Sequence, residues 1–237
     1  MANRPVFLAS DREGIFFEEK NVEFEWFAGM ATSQKQKSIN SLHKAAQLEG
    51  ISDILEVSTK SEEVLGNQLS AFNLTYTTSK GKVLLLELAF QGSKIFENGG
   101  PYHDLYDKDP LEVKKDERVS KDFIITGFDF QGELWSNEPK TAFYDWLYIN
   151  AVNQKLDNDT EFLFENISGY SAFTDIEFNP KKSLNCQARS CAVFVSLVRK
   201  NLLSIALESR ESFLDVLSDD PFYKVDNASG TEQGELF

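Results

Sequence analysis

The chain has 237 residues, 41% of them apolar, enough to fill a sizeable core in one large domain or two small ones, and a single domain is the simpler expectation. With 38 acidic and 24 basic residues the net charge is −14, which excludes general affinity for phosphate backbones. No apolar run reaches the ~18 residues of a membrane span, and the N-terminal segment lacks the apolar stretch of a signal peptide, so the expected location is cytoplasmic.

Arg4 to Leu8 reads as a strand, and Val22 to Trp26 alternates with period two and reads as another. Trp26 and Phe27 suit either a core or a stacking surface for a base. Ser33 is the expected cap of a helix to about Gln47, with Ile39, Leu42, His43 and Ala46 inward and Gly50 as stop; His43 there is a packed histidine. Lys35 falls in the first turn, where the helix dipole disfavours a cation; with Lys37 close by, that field would help depress its pKa and free a nucleophilic amine. The competing reading is a solvated lysine. Asp53 to Ser58 reads as a strand, Ser61 as the cap of a short helix through Leu69, and Leu74 to Thr78 as a strand turning at Ser79-Lys80-Gly81 into a hairpin partner.

The stretch Lys82 to Gly100 organises the rest. A buried-strand run, Val83 to Leu86, leads into a helix that places Glu87, Gln91 and Lys94 on one face, so a carboxylate, an amide and an amine point the same way. The bland alternative is a solvated ion pair. Gly99-Gly100 would let the backbone approach a ligand, and Tyr102, in the loop that follows, either covers that ligand or packs on the body of the protein.

Further expectations are an exposed helix from Leu111 to Arg118, a strand from Phe123 to Phe130, and a helix begun by Pro139 and running to about Gln154. On that helix Ala142, Phe143, Trp146, Leu147 and Asn150 share a face, and Trp146 suits the core or a ligand platform. Asn153 to Gly169 reads as a polar loop. In an extended Tyr170 to Pro180, Asp175, Glu177 and Asn179 would share one side; facing Glu87, they would flank a sugar with two carboxylates. A helix from about Ser183 to Ile205 carries a core stripe of Leu184, Ala188, Cys191, Val195, Val198 and Leu202 and an i, i+4 pair, Asn185 and Arg189. Arg189 near the helix start suits a pyrophosphate, or a pairing with Asp175 or Glu177. Cys186 and Cys191 read as core thiols. A helix covers Glu208 to Leu217, which closes a domain of residues 1–217, and 218–237 reads as a flexible tail.

Zinc spacing, a P-loop, a dinucleotide fingerprint and internal repeats are all missing from the sequence, so the expected metal and cofactor are none. A basic rim for nucleic acid could come from Lys35, Lys37, Lys44, Lys94, Lys114-Lys115 and Lys181-Lys182, or these are scattered surface lysines.

The pattern Glu87-x-x-Phe90-Gln91-x-x-Lys94-x-Phe96, with Leu69-Ser70-Ala71-Phe72-Asn73 upstream, resembles the signature of the NADAR family, the YbiA-like N-glycosidases. Ser33-Gln34-Lys35-Gln36-Lys37-Ser38, Ala89 to Lys94, Glu138 to Trp146, Phe173 to Pro180 and Asn185 to Ser190 are similar to one branch, the antitoxins paired with DarT-type DNA ADP-ribosyltransferase toxins. The resemblance implies an α+β, compact single-domain YbiA-like fold with helices packed around a small sheet. It implies hydrolysis of ADP-ribose from guanine bases of DNA, or of RNA, with a cognate toxin as functional partner. On this view Lys35, Glu87 and Asp175 are catalytic, and Gln91, Lys94, Gly99, Gly100, Tyr102, Trp146, Asn179, Asn185 and Arg189 bind substrate. Leu88 stands where the wider family has a histidine, and Phe178-Asn179-Pro180 near its Trp-Gly-Asp-Gly segment, which argues against the riboflavin-pathway activity. The rival from another class is a module that holds ADP-ribose or the toxin without turnover.

Overall fold

The computed structural model describes residues 1–120, 123–158 and 167–224. Its framework is a mixed sheet of four strands in the order β2-β1-β9-β3: β1 (Ala2–Ala9), β2 (Phe17–Phe24), β3 (Ile54–Glu56) and β9 (Ala172–Thr174). β1 is antiparallel to both β2 and β9, whereas β3 runs parallel to β9. Alternation assigns the two faces. Val6, Ile54 and Ala172 pack with Ile39, Leu42 and Ala46 of α1 (Thr32–Leu48), while their neighbours Phe7, Leu55 and Phe173 belong to the larger core on the other side.

That larger core also holds a hairpin, β4 (Thr75–Thr77) with β5 (Val83–Leu85), and a three-stranded sheet, β6 (Lys94–Phe96), β7 (Ile125–Phe130) and β8 (Glu133–Ser136). The expected hairpin is present, with Thr75 opposite Leu85. Against these pack α2 (Val64–Gln68), α3 (Leu86–Ser93), the short α4 (Pro110–Val113) and α5 (Glu117–Ser120), α6 (Ala142–Asn158), α7 (Gln187–Arg199), α8 (Leu203–Ala206) and α9 (Arg210–Leu217). Phe90, Phe128, Phe130, Trp135, Phe143 and Trp146 form an aromatic pile between α3, α6 and the second sheet. The chain is a compact α+β domain, as expected.

Several boundaries differ from expectation. α1 starts at Thr32, its cap position is Ala31, and no side chain caps it, so Ser33 lies inside the first turn. Ser61 accepts a hydrogen bond from the Glu63 N–H, a local turn that delays α2 to Val64. The expected helix over 111–118 is two four-residue pieces, α4 and α5. The expected helix over 183–205 is α7 followed by α8, with Leu184 44% exposed rather than in the stripe. α6 continues through Asn158, beyond the expected end at Gln154, and the rest of the loop expected there, 159–166, lies outside the described residues. Residues 218–224 are not a tail: Asp220 accepts from the Phe16 N–H at 2.7 Å, and Tyr223 is buried. Residues 225–237 lie outside the described residues.

Candidate functional site

α3 produces the expected ladder. Gln91 Nε2 donates to Glu87 Oε1 at 2.9 Å, and Lys94 Nζ donates to Gln91 Oε1 at 2.8 Å. The helix stops at Ser93 because Lys94 turns extended into β6, and this carries the amine inward, where Lys94 is 1% exposed. Burial lowers its pKa to about 8 against the opposing attraction of Glu87. Its Nζ also sits 4.8 Å from the Phe90 ring centroid. A desolvated cation held by an amide is a strong point of attachment for an anionic or hydroxyl-rich ligand.

A second group of charges stands at the edge of the four-stranded sheet. Lys35 Nζ is 2.8 Å from Glu177 Oε1 and 5.1 Å from the centroid of the Trp26 ring. The Arg4 guanidinium lies over the same indole at 5.3 Å. Trp26 is therefore a mount for two cations. The nearest charge to Lys35 is an acid, not Lys37.

Asp175 follows β9 and begins a turn rather than an extended segment. Its Oδ1 accepts from the Glu177 and Phe178 N–H groups, and its Oδ2 accepts from Gln187 Nε2 at 2.9 Å. Gln187, at the start of α7, accepts from the Ala71 N–H through its Oε1 at 2.7 Å, which ties the Ser70–Asn73 segment to the acid. The turn separates the three residues expected on one side: Asp175 is buried, Glu177 is exposed toward Lys35, and Asn179 Oδ1 caps its own loop at the Lys181 N–H. Burial raises the Asp175 carboxyl to about 7. Beside it lies an acid that pattern reading passed over: Glu56, 2% exposed, is raised to about 8 by burial and then by the charge of Asp175.

Tyr144 of α6 packs against Phe90 and feels charges from both groups. It is 6% exposed, and its pKa is raised by burial and then by the charges of Glu87, Cys186 and Asp175. Glu87 and Asp175 thus act on one phenol from α3 and from the β9 turn. The arrangement offers an amine, two buried acids of raised proton affinity, and donors for a polyhydroxylated anion.

A family model described as the DarT1-associated NADAR antitoxin matches residues 2–227. The chain belongs to this family. No protein of curated function matches it. In this NADAR antitoxin no helix among the described residues is long and apolar enough to cross a membrane.

The remaining predicted binding residues of the antitoxin are placed differently. Arg189 is 3% exposed and paired with Asp145 at 3.2 Å, neither with Asp175 or Glu177 nor with Asn185. Thr141, Ser190 and Tyr223 hydroxyls also donate to Asp145, so the pair lies inside a structural knot, although Arg189 Nε has no partner among the described residues. Asn185 Oδ1 is buried without a partner. Trp146 sits within the aromatic pile, between Tyr76, Phe130, Trp135 and Phe143, as a core residue. Gly100 (φ +94°) meets its own protein: a Cβ there would lie 2.5 Å from the Lys94 carbonyl oxygen, and one on Gly99 2.6 Å from the Tyr102 hydroxyl. Tyr102 stacks on Phe96 and is covered by the Arg118 guanidinium at 4.7 Å.

Glu56, Tyr144, Gln187 and Arg4 were missed by sequence reasoning. Only Glu56 carries a signal in the sequence, a lone acid inside the apolar run Ile54-Leu55-Glu56-Val57.

Proposed function

We propose that the protein is an N-glycosyl hydrolase that removes ADP-ribose from guanine bases of DNA, or of RNA, and so reverses the work of a DNA ADP-ribosyltransferase toxin. Membership of the DarT1-associated NADAR antitoxins supports the biological role. The observation that carries the chemistry is the lysine amine of Lys35 held 2.8 Å from Glu177, two residues from the buried acid Asp175.

In this reading Lys35 passes a proton to Glu177 and attacks the ribose anomeric carbon as Asp175 or Glu87 protonates the departing guanine exocyclic nitrogen. The glycosidic C–N bond breaks as the Lys35 C–N bond forms. The sugar ring then opens to a Schiff base, which water hydrolyses to return ADP-ribose and the free amine. Gln91 and Lys94 hold ribose and diphosphate oxygens. Cytoplasmic action and a cognate toxin as functional partner complete the reading.

The test uses an oligonucleotide carrying ADP-ribosylated guanine and sub-stoichiometric protein. Many equivalents of free ADP-ribose per protein are expected, whereas one equivalent held without release would make the protein a binding module. Borohydride added during turnover should fix the sugar on Lys35. An unmodified Lys35 with full turnover would replace the amine by two carboxylates acting through an oxocarbenium ion.

A further inference from the structure

Glu56 has no role in that scheme, yet it is the acid most thoroughly enclosed beside the site. The two faces of the sheet explain where it stands. Glu56 and Thr174 lie on the α1 face, in register across β3 and β9, whereas Asp175, one residue on, turns to the α7 face and meets Gln187. From below the strand end, Glu56 Oε1 accepts from the Ile176 N–H at 2.9 Å and from Ser58 Oγ at 2.7 Å, and Oε2 accepts from Thr174 Oγ1 at 2.7 Å. Its carboxyl thus grips the residue before Asp175 and the residue after it. We propose that Glu56 is the positioning residue for Asp175, clamping both flanks of that acid through the Thr174 hydroxyl and the Ile176 N–H. The inference rests on the reading of Asp175 as the group that moves protons.

The hydrogen bonds around Glu56 can be satisfied in either charge state, which a proton-holding group in a dry site requires. As a carboxylate, Glu56 accepts all three donors. As a carboxylic acid, it can donate to Thr174 Oγ1, whose own hydrogen then turns to His43 Nε2, 2.8 Å away. That imidazole is available as an acceptor because burial lowers its pKa to about 4 and keeps it neutral. His43 is half-buried on α1, so the hydroxyl-imidazole chain leads from the enclosed acid toward the surface. Other ionisable groups around the pair do not replace this partnership. Arg4 from β1 and Glu177 act on Asp175 across the turn, and Lys35 is engaged by Glu177. Tyr144 and Tyr148 from α6, and Cys186 and Cys191 at α7, are held neutral by burial near neutral pH. The charge of Asp175 is what, after burial, raises the Glu56 carboxyl, so the clamp responds to the state of the acid it holds.

The test is a carboxyl titration of the full chain by NMR, with 13C at the Asp and Glu side-chain carboxyls, alongside the pH dependence of kcat. Wild type should show two late carboxyl transitions near neutrality. Glu56→Gln keeps acceptors for Ile176 and Ser58 and a donor to Thr174. It should leave one late transition and erase the corresponding ionisation from the kcat profile. Asp175→Asn should leave Glu56 with a single transition at lower pH, because the opposing charge is gone. Glu56→Ala should lower kcat at every pH through loss of the clamp. A wild-type kcat and pH profile in Glu56→Ala, or a Glu56 midpoint unmoved by Asp175→Asn, would overturn the proposal. A wild-type protein whose Glu56 midpoint falls in Asp175→Asn but which releases no ADP-ribose would sink the glycosidase reading and leave the Glu56–Asp175 pairing standing.

Discussion

Replacing Lys94 by methionine gives a stability change whose sign depends on pH. Lys94 is 1% exposed, and its amine is lowered from an ordinary 10.5 to about 8. At ~1.4 kcal/mol per pH unit, carrying that charge inside costs about 3 kcal/mol below pH 8. The folded state binds fewer protons than the unfolded chain between about pH 8 and 10.5, so wild-type stability gains this contribution as pH rises through that window. Lys94→Met removes it. The substitution also leaves Gln91 Oε1 without its donor, a penalty of roughly 1–3 kcal/mol. At about pH 7 the variant should therefore match or exceed wild type by up to ~2 kcal/mol, and near pH 10.5 it should fall below it by ~1–3 kcal/mol. Urea unfolding at several pH values measures the difference directly. A difference that stays constant across that range would refute the desolvated amine. The same variant should lose substrate affinity, so that stability and function move in opposite directions at neutral pH.

Three other perturbations probe the remaining parts. Glu177→Gln breaks a pair whose side chains are 18% and 44% exposed, so stability should change by less than about 1 kcal/mol while single-turnover rates fall by more than tenfold; an unchanged rate removes Glu177 from the proton path. Asp145→Ala strands the buried Arg189 charge and should cost ~3–5 kcal/mol in urea unfolding, and a loss under 1 kcal/mol would show that the knot is dispensable. Gly100→Ala forces a side chain onto a positive φ and into the Lys94 carbonyl; it should destabilise by at least ~1 kcal/mol and raise KM as the amine shifts, and unaltered values of both would contradict the close approach.

The parts of the site that were legible in the sequence are those built from neighbours along the chain. Glu87, Gln91 and Lys94 meet because one helix repeats every 3.6 residues, and the hairpin before them is announced by its turn. β6 was hidden inside the same helical pattern, since three residues after Ser93 carry no alternation that periodicity can detect. β8 was missed for the same shortness. Arg189 sits at a spacing that suggested Asn185, but its partner is Asp145, 44 residues earlier, and no local pattern encodes that choice. Asp175, Glu177 and Asn179 alternate as a strand would, yet Ile176 bends the chain because Glu56 captures its N–H. Long-range capture decided the Arg189 pairing, and it acts beside the local Asp175 bonds in the turn at Ile176.

The contacts of Asp220 and Tyr223 have a bearing on synthesis. Asp220 closes onto Phe16, 204 positions earlier, and Tyr223 reaches back 78 positions to Asp145. A nascent polypeptide still short of residue 220 lacks both closures, and one short of residue 223 leaves the Arg189 pair with one fewer donor around it. An antidote assembled in this way matures late on the ribosome, and its partly made forms gain least from the native fold.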